Sequence, residues 1–222
     1  PVPIATASSA PAPIPEKSVA VLPFDNLSDE KENAYFAAGV QDEITTNLAL
    51  IAELKVISRT SANLYKSGNP RNSRDIGQQL GVAHLLEGSV QRVGNRLRVN
   101  AQLIDTRTDA HSWAQTYDRN ESDLFAIQSE IAQAIAAQLG AKISPAERRA
   151  MERAPTGDLS AFDLYTRAKA LSSPAFFSNA GKKDLLEAID LLNQAVSRDP
   201  TFFEAYGQLA WAHDVLYFLG FD

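Results

Sequence analysis

The strongest pattern along the chain is a strict alternation of apolar and polar residues over residues 96–103. The apolar set is Leu97, Val99, Ala101 and Leu103, and the polar set is Arg96, Arg98, Asn100 and Gln102. Residues two apart in a strand share a face, so the pattern predicts a strand with one buried side and one solvated side. Gly94 and Asn95 precede it and suit a tight hairpin turn. With strands predicted over 85–92 and 110–117, we expect a three-stranded antiparallel meander.

Two short apolar runs, over residues 18–24 and 54–58, predict buried strands. Between them, apolar residues recur at the spacing of one helical face, which predicts a helix over 35–51. Those residues are Phe36, Val40, Ile44, Leu48 and Ile51. A short helix over 75–80 ends at Gly81, and a long amphipathic helix covers 124–139. Residues 17–143 are therefore predicted to form an α/β (α+β) domain with a mixed five-stranded sheet, in the order β-α-β-α-β-β-β-α. Its first two strands are separated by a helix, which favours parallel pairing or near neighbours in the same mixed sheet.

The segments that flank this domain differ in character. Residues 1–16 contain five prolines among small residues, which predicts a linker that tethers a module further upstream. Ser144, Pro145 and Glu147 predict the start of a connecting helix, because they supply a cap, a first-turn proline and a capping box. Residues 144–157 are interpreted as this helix and a linker.

Residues 158–222 are predicted to form an all-α region, with helices over 159–171, 182–198 and 201–219 and a loop at 172–174. The spacing of small and large residues in the last two helices resembles that of a tetratricopeptide repeat. The matching residues are Ala188, Leu192, Ala195, Pro200, Tyr206, Leu209 and Ala210. Small residues let helices approach closely, and Pro200 ends one helix. The alternative is an ordinary amphipathic helical hairpin.

Composition narrows the functional classes. The formal net charge of −6 argues against a nucleic-acid partner, because phosphate binding needs a concentrated basic face. The absence of cysteine excludes disulfides, thiol catalysis and thiolate metal sites. His84, His111 and His213 fall on three different predicted elements without metal-ligand spacing. His111 is expected on the same strand face as Trp113. No phosphate loop or nucleophile elbow is present, so we expect no cofactor, no metal and no catalytic site.

The best candidate site is formed by polar residues at two strand ends. Asp25 and Asn26 follow the first strand, and Ser58, Arg59 and Ser61 end the second. If these strands are parallel neighbours, both groups lie at the sheet edge where α/β proteins tend to bind ligands or partners. The alternative is structural: Asp25 and Asn26 form a turn, and Arg59 pairs with a nearby carboxylate.

Six sequence blocks together resemble the TolB-like N-terminal domains of bacterial multidomain signalling proteins. They are VAVLPFDNLS at 19–28, YFAAG at 35–39 with Glu43 and Ile44, VISRTS at 56–61, LEGSV at 86–90, AQLID at 101–105 and WAQTYD at 113–118. The resemblance implies tetratricopeptide repeats after the domain. It also implies an adenylate or guanylate cyclase, winged-helix DNA-binding or kinase domain before it, often with a membrane helix between.

These observations together predict a non-catalytic sensory or protein-interaction region of a larger bacterial signalling protein. We expect a protein partner or a neighbouring domain to bind the helical repeats, and the exposed apolar residues of the last helix to favour self-association. Membrane contact is expected only through an upstream segment. The bacterial cytoplasm and the periplasmic side of a membrane-anchored protein fit the sequence equally. The alternative is a ligand-binding or enzymatic α/β domain that uses the strand-end residues.

Overall fold

The computed structural model describes residues 13–30, 33–65, 72–175 and 181–220, and the side chains of 173–175 are not described. Residues 1–12 of the predicted linker lie outside these ranges. So do residues 176–180 and 221–222 of the predicted repeat region.

The α/β region is built on a mixed six-stranded sheet. Its strands are β1 (Ser18–Val21), β2 (Asp25–Asn26), β3 (Lys55–Val56), β4 (His84–Val93), β5 (Arg96–Asp105) and β6 (Ala110–Asn120). The main order is β3-β1-β4-β5-β6, with β2 also paired to β4. β1 is parallel to β3, and β4, β5 and β6 are antiparallel. The predicted meander and the predicted parallel neighbours are therefore confirmed.

The prediction of five strands is wrong because a sixth strand, β2, begins directly after the first predicted strand, which was expected over residues 18–24. Val21 pairs with Leu86 and Asp25 with Ser89, so four steps along the first segment match three steps along β4. Pro23 lies in the interruption and has no N–H to give to the ladder. The chain then resumes on β4 as β2, where the Leu27 N–H donates to the Val90 carbonyl at 2.8 Å.

Eight α-helices are assigned within the described residues. They are α1 (Asn33–Ala49), α2 (Arg59–Ala62), α3 (Ser73–Leu80), α4 (Leu124–Gln138), α5 (Pro145–Met151), α6 (Leu159–Ala175), α7 (Gly181–Arg198) and α8 (Phe203–Phe218). Gly81 ends α3 in the left-handed conformation, with φ of 65°. Both hydrogen bonds of the capping box between Ser144 and Glu147 are present at the start of α5.

Three local predictions are wrong. The predicted element order lacks α2 as well as β2. The loop predicted at 172–174 is instead part of α6, where Ser172 is fully buried and accepts a hydrogen bond from Gln208 at 3.0 Å. Burial of this turn against α8 outweighs the tendency of the Ser-Ser-Pro sequence to break a helix. His111 does not share a face with Trp113, because a bulge makes Ser112 an extra residue of β6.

The sheet has a helix layer on each side, but the layers differ in extent. α1 and α4 cover the face that carries Val19, Val21 and the apolar side of β5. On the opposite face, a smaller cluster joins α2 and α3 to Ala20, Leu22 and Leu85. This smaller layer covers the parallel strands, and the polar side of the antiparallel strands is left uncovered beside it.

The main apolar core continues from the sheet into the helical region. Phe162 of α6 is fully buried and meets Phe36 of α1 and Phe125 of α4 edge to face, at centroid distances of 6.3 and 5.1 Å. Gly39 of α1 allows this approach, because a Cβ there would lie 2.3 Å from Cγ2 of Thr166. α6 is therefore packed directly on α1.

The three last helices pack in sequence order, α6 on α7 and α7 on α8. Ala188, Leu192 and Ala195 of α7 are fully buried, as is Ala205 of α8. The opposite side of α8 is exposed and rich in large apolar residues, namely Phe203, Tyr206, Trp211, Tyr217 and Phe218. The buried alanines fit close helix packing, which an ordinary hairpin and a tetratricopeptide repeat share.

Candidate functional site

A groove of about 720 Å³ lies where the α2–α3 layer ends and the open polar face of β4, β5 and β6 begins. Its apolar wall contains Leu22, Pro23 and Ile76. Its polar lining contains Asp25, Glu87, Ser89, Asn100, Gln102 and Thr116. The groove is thus placed at the carboxyl end of β1, where open α/β sheets commonly bind ligands.

One row of polar side chains crosses four strands on the floor of the groove. Strand register aligns Asp25, Ser89, Asn100 and Thr116 on β2, β4, β5 and β6. Thr116 donates to Asn100 Oδ1 at 2.8 Å, and Asn100 Nδ2 donates to Ser89 Oγ at 3.0 Å. These bonds fix the amide orientation and leave the Ser89 hydroxyl proton free to be donated.

A second, shorter row lies beside the first. Glu87, Gln102 and Ala114 are aligned on β4, β5 and β6. Gln102 Nε2 lies 3.4 Å from Glu87 Oε2, a long hydrogen bond. Ala114 is small, so this end of the groove stays open.

Gly88 of β4 allows the segment that carries Phe24 and β2 to pack closely on β4, next to the groove. A Cβ at this position would lie 2.5 Å from the ring of Phe24 and from the Asn100 carbonyl oxygen. Phe24 is buried on the core side and anchors the segment that carries Asp25. A glycine in this strand therefore permits a close side-chain approach.

The predicted strand-end residues are divided between two places. Asp25 lines the groove. Asn26 is used within its own turn, where Oδ1 accepts from the Ser28 N–H at 2.9 Å and Nδ2 donates to the Glu30 carbonyl at 3.0 Å. Ser58 precedes α2, and its hydroxyl lies 3.3 Å from that of Ser61. A role for these residues in binding stays a prediction.

Arg59 lies in a charged cluster between α1 and α6. Its guanidinium is 3.6 Å from Asp42, which also accepts a hydrogen bond from Lys169 of α6. Lys169 Nζ donates to the Tyr165 hydroxyl at 3.3 Å as well. The arrangement corresponds to the structural alternative for Arg59, because its charge is matched by a nearby carboxylate.

Glu43 is next to this cluster and has no ion pair within the described residues. Burial raises the pKa of its carboxyl from 4.5 to about 7, and the charge of Asp42 adds to this effect while Lys169 opposes it.

A second ion pair joins α6 to the sheet. Arg92 of β4 donates to Asp163 of α6 at 2.8 Å and packs over the ring of Phe36.

The groove residues that the sequence did not single out are Glu87, Ser89 and Thr116. Asn100 and Gln102 were expected on the wet face of their strand, but nothing local shows that this face is the floor of a groove. The signal that could have indicated it is the run of polar residues at alternate positions, Glu87, Ser89 and Gln91 on β4 and Asn100 and Gln102 on β5, read together with the strand register.

Within the described ranges, no group of histidine, aspartate and glutamate side chains is arranged to hold a metal ion. No helix in the same ranges combines the length and the apolar character needed to cross a membrane.

Comparison with known proteins gives one curated relative. "Putative adenylate cyclase 3" of Rhizobium meliloti (strain 1021) is 38% identical over 212 residues, which is 92% of this chain and 34% of that protein. The chain thus spans about a third of the length of the relative that it matches. No family model matches the chain.

Three solved structures of bacterial proteins align with part of this chain. TolB from Acinetobacter baumannii is 16% identical, with a TM-score of 0.44, over 57% of this chain and 29% of its own. The LpoB C-terminal domain from Salmonella enterica is 16% identical, with a TM-score of 0.40, over 50% of this chain and 88% of its own. Lipoprotein GNA1162 from Neisseria meningitidis is 17% identical, with a TM-score of 0.41, over 58% of this chain and 99% of its own.

Proposed function

We propose that this chain is a non-catalytic sensory or protein-interaction region of a larger bacterial signalling protein, associated with a cyclase or with a transcription regulator. Support comes from its 38% sequence identity to about a third of the protein named "Putative adenylate cyclase 3". In this proposal the TolB-like region and the helices serve the output of a catalytic or DNA-binding domain elsewhere in the whole protein.

The observation that carries the proposal is the outer face of α8. Phe203 is 65% exposed, Tyr217 77% and Tyr206 44%, whereas Ala205, Ala212 and Leu216 of the same helix are buried. Aromatic residues are enriched where proteins bind one another, because they bury a large area at a low entropic cost. We assign this face to a protein partner, a neighbouring domain or a second copy of the chain.

A tetratricopeptide arrangement of α7 and α8 belongs to the same proposal. Ala188, Leu192 and Ala195 would form the inner side of one repeat, and Pro200 would separate it from the next. Tyr206, Leu209 and Ala210 would then receive the following helix of the array. Tyr206 and Ala210 are exposed and Leu209 is half-buried, which leaves room for such a helix.

Sedimentation velocity over a concentration series tests the interaction face. We expect the chain to self-associate, and Trp211→Lys combined with Tyr217→Lys to make it monomeric. Leu186→Lys is the matched control, because Leu186 is a 47% exposed apolar residue of α7. A wild-type chain that stays monomeric at every concentration would contradict self-association.

The absence of catalysis is tested separately. The purified chain, incubated with ATP or GTP and with Mg²⁺ or Mn²⁺, is expected to form no cyclic nucleotide above the buffer background. Measurable turnover that is lost in Asp25→Asn would refute the non-catalytic proposal and support an enzymatic groove.

A second candidate function is ligand binding by the α/β region through the strand-end residues Asp25, Asn26, Arg59 and Ser61. The observation that favours it is the place of Asp25 in the groove. Thermal unfolding in the presence of small polar ligands tests it, with stabilisation as the expected result.

A further inference from the structure

The groove contains two carboxylates whose charge is not balanced within the described part of the chain. Asp25 and Glu87 line it, and no ion pair of either is found among the described residues. Other acids of the same sheet are paired: Asp118 with Arg98, and Asp105 with Arg107. Among the described residues, the lining of the groove therefore carries an excess of negative charge.

The two carboxylates are near enough to act on one ligand. Asp25 is aligned with Ser89, and Glu87 precedes Ser89 by two residues on the same face. With strands about 4.8 Å apart and a rise of about 3.3 Å per residue, the Cα atoms of the two acids lie about 8 Å apart. A ligand with one or two cationic groups can contact both.

Hydrogen bonding within the groove leaves mainly acceptors for a ligand. The Thr116 hydroxyl proton is used on Asn100, and Asn100 Nδ2 and Gln102 Nε2 donate to Ser89 and Glu87. The carboxylates can each accept further hydrogen bonds, because an ionised carboxylate has about four lone-pair positions. A ligand rich in N–H donors complements this surface.

The apolar wall adds a second requirement. Leu22, Pro23 and Ile76 line the side of the groove that faces α3. Methylene groups placed on this wall would bury apolar area while a charged end reaches the carboxylates.

We infer that the groove binds an aliphatic ammonium or guanidinium group, carried by a free polyamine or by a basic side chain of a peptide. This inference rests on the second candidate function, that the α/β region binds a ligand. Binding would place the cation between Asp25 and Glu87 and the methylene groups on the apolar wall.

Isothermal titration calorimetry at low ionic strength tests the inference, with spermidine as the free amine and a short Gly-Lys-Arg-Gly peptide as the second source. Glutarate and glucose serve as anionic and neutral probes. We expect spermidine or the peptide to bind, and the dissociation constant to rise with added NaCl because the contacts are ionic. The tighter of the two identifies the source.

Variants locate the site. Asp25→Asn combined with Glu87→Gln keeps the shape of both side chains and should weaken binding by about tenfold or more, which corresponds to about 1.4 kcal/mol. Asp29→Asn is the matched control, because Asp29 is an exposed acid near β2 that does not line the groove. The dissociation constant of the Asp29→Asn variant should stay within about twofold of the wild-type value, a change of under about 0.5 kcal/mol.

The outcomes separate the inference from the function on which it rests. If glucose or glutarate binds and neither amine does, the ligand class is wrong and ligand binding stands. If no probe binds, the inference fails and the second candidate function loses its support. If the double variant binds amines as well as wild type does, the groove is not their site.

Discussion

α6 and α8 both carry large apolar side chains, but the two helices use them in opposite ways. α6 inserts Phe162 among rings of the α/β region and adds the Lys169–Asp42 and Arg92–Asp163 ion pairs. α8 buries one side on α7 and exposes Phe203 and Tyr217 on the other. The difference shows that α6 belongs structurally to the α/β region although it begins the helical segment. α8 keeps one side exposed, and this side is the surface that we propose for a partner.

The largest expected effect is on the buried ring of α6. Phe162→Ala should lower the free energy of unfolding by about 3–5 kcal/mol, because it removes a fully buried aromatic side chain and leaves a cavity. Urea unfolding followed by far-UV circular dichroism measures this loss. Phe203→Ala on α8 is the control and should change stability by less than about 0.5 kcal/mol, as is usual for exposed positions. Equal losses in both variants would remove the distinction between the two helices.

The next effect concerns two of the helical glycines, Gly39 of α1 and Gly207 of α8. Gly39→Ala should cost about 1–3 kcal/mol, because the new Cβ would lie 2.3 Å from Thr166 Cγ2 and 3.3 Å from the Phe162 ring. Gly207→Ala has nothing within 4 Å of its Cβ and should stabilise α8 by about 0.5–1 kcal/mol. Both are measured by urea unfolding.

A double variant separates the clash from other effects. Gly39→Ala together with Thr166→Ala removes the methyl group that the new Cβ meets, so it should recover part of the loss. If the double variant is less stable than the sum of the single changes, contact with Thr166 is not the cause.

The third expected effect is a dependence of the free energy of unfolding on pH, which arises from Glu43 of α1. The folded-state pKa of Glu43 is raised from 4.5 to about 7, chiefly by burial. Between these values the folded chain binds more protons than the unfolded chain, so stability falls as pH rises through this window. Glu43→Gln should remove this loss and be more stable than wild type at pH 8 by about 1–2 kcal/mol.

Thermal unfolding of the wild type and of the Glu43→Gln variant from pH 4 to pH 8 measures the effect. Glu53 supplies a control of opposite sign, because a hydrogen bond from Lys17 lowers the pKa of its carboxyl. Its contribution is present above the unfolded pKa and is lost as pH falls, so Glu53→Gln should lose stability relative to wild type at neutral pH. A Glu43→Gln chain with an unchanged pH profile would show that Glu43 is not buried by α6.

Sequence patterns predicted the elements of this fold better than the contacts between them. The meander followed from alternation around Gly94 and Asn95, and the α3 end from Gly81, because strand faces and caps depend on neighbouring residues. The Phe162–Phe36 contact joins residues far apart in sequence, and no local pattern encodes it. The bulge at Ser112 was also not predicted, and this one extra residue places His111 on the face of β6 opposite Trp113.

The candidate site was predictable only in part, for the same reason. The position of Asp25 directly after a strand predicts a site residue from the sequence alone, and Asp25 lines the groove in the structure. Its neighbours Ser89 and Asn100 depend on the register of β2 on β4, which shifts by one residue at Pro23. Arg59 follows a parallel strand too, but α6 supplies Lys169 beside its carboxylate partner Asp42. That contact required the tertiary structure.

The smallest expected effect is that of Arg59→Ala. Arg59 and Asp42 are 25% and 17% exposed and lie 3.6 Å apart, so the pair is partly desolvated, but Asp42 keeps Lys169 after the change. We expect a loss of about 1 kcal/mol in urea unfolding, near the upper end for surface pairs. Arg167→Ala on α6 is the control: its pair with Glu187 is 45% and 39% exposed, and its loss should be less than about 0.5 kcal/mol. Spermidine affinity should be unchanged in both, since neither arginine lines the groove. A binding loss in Arg59→Ala at unchanged stability would instead return Arg59 to the functional site and make its contact with α6 incidental.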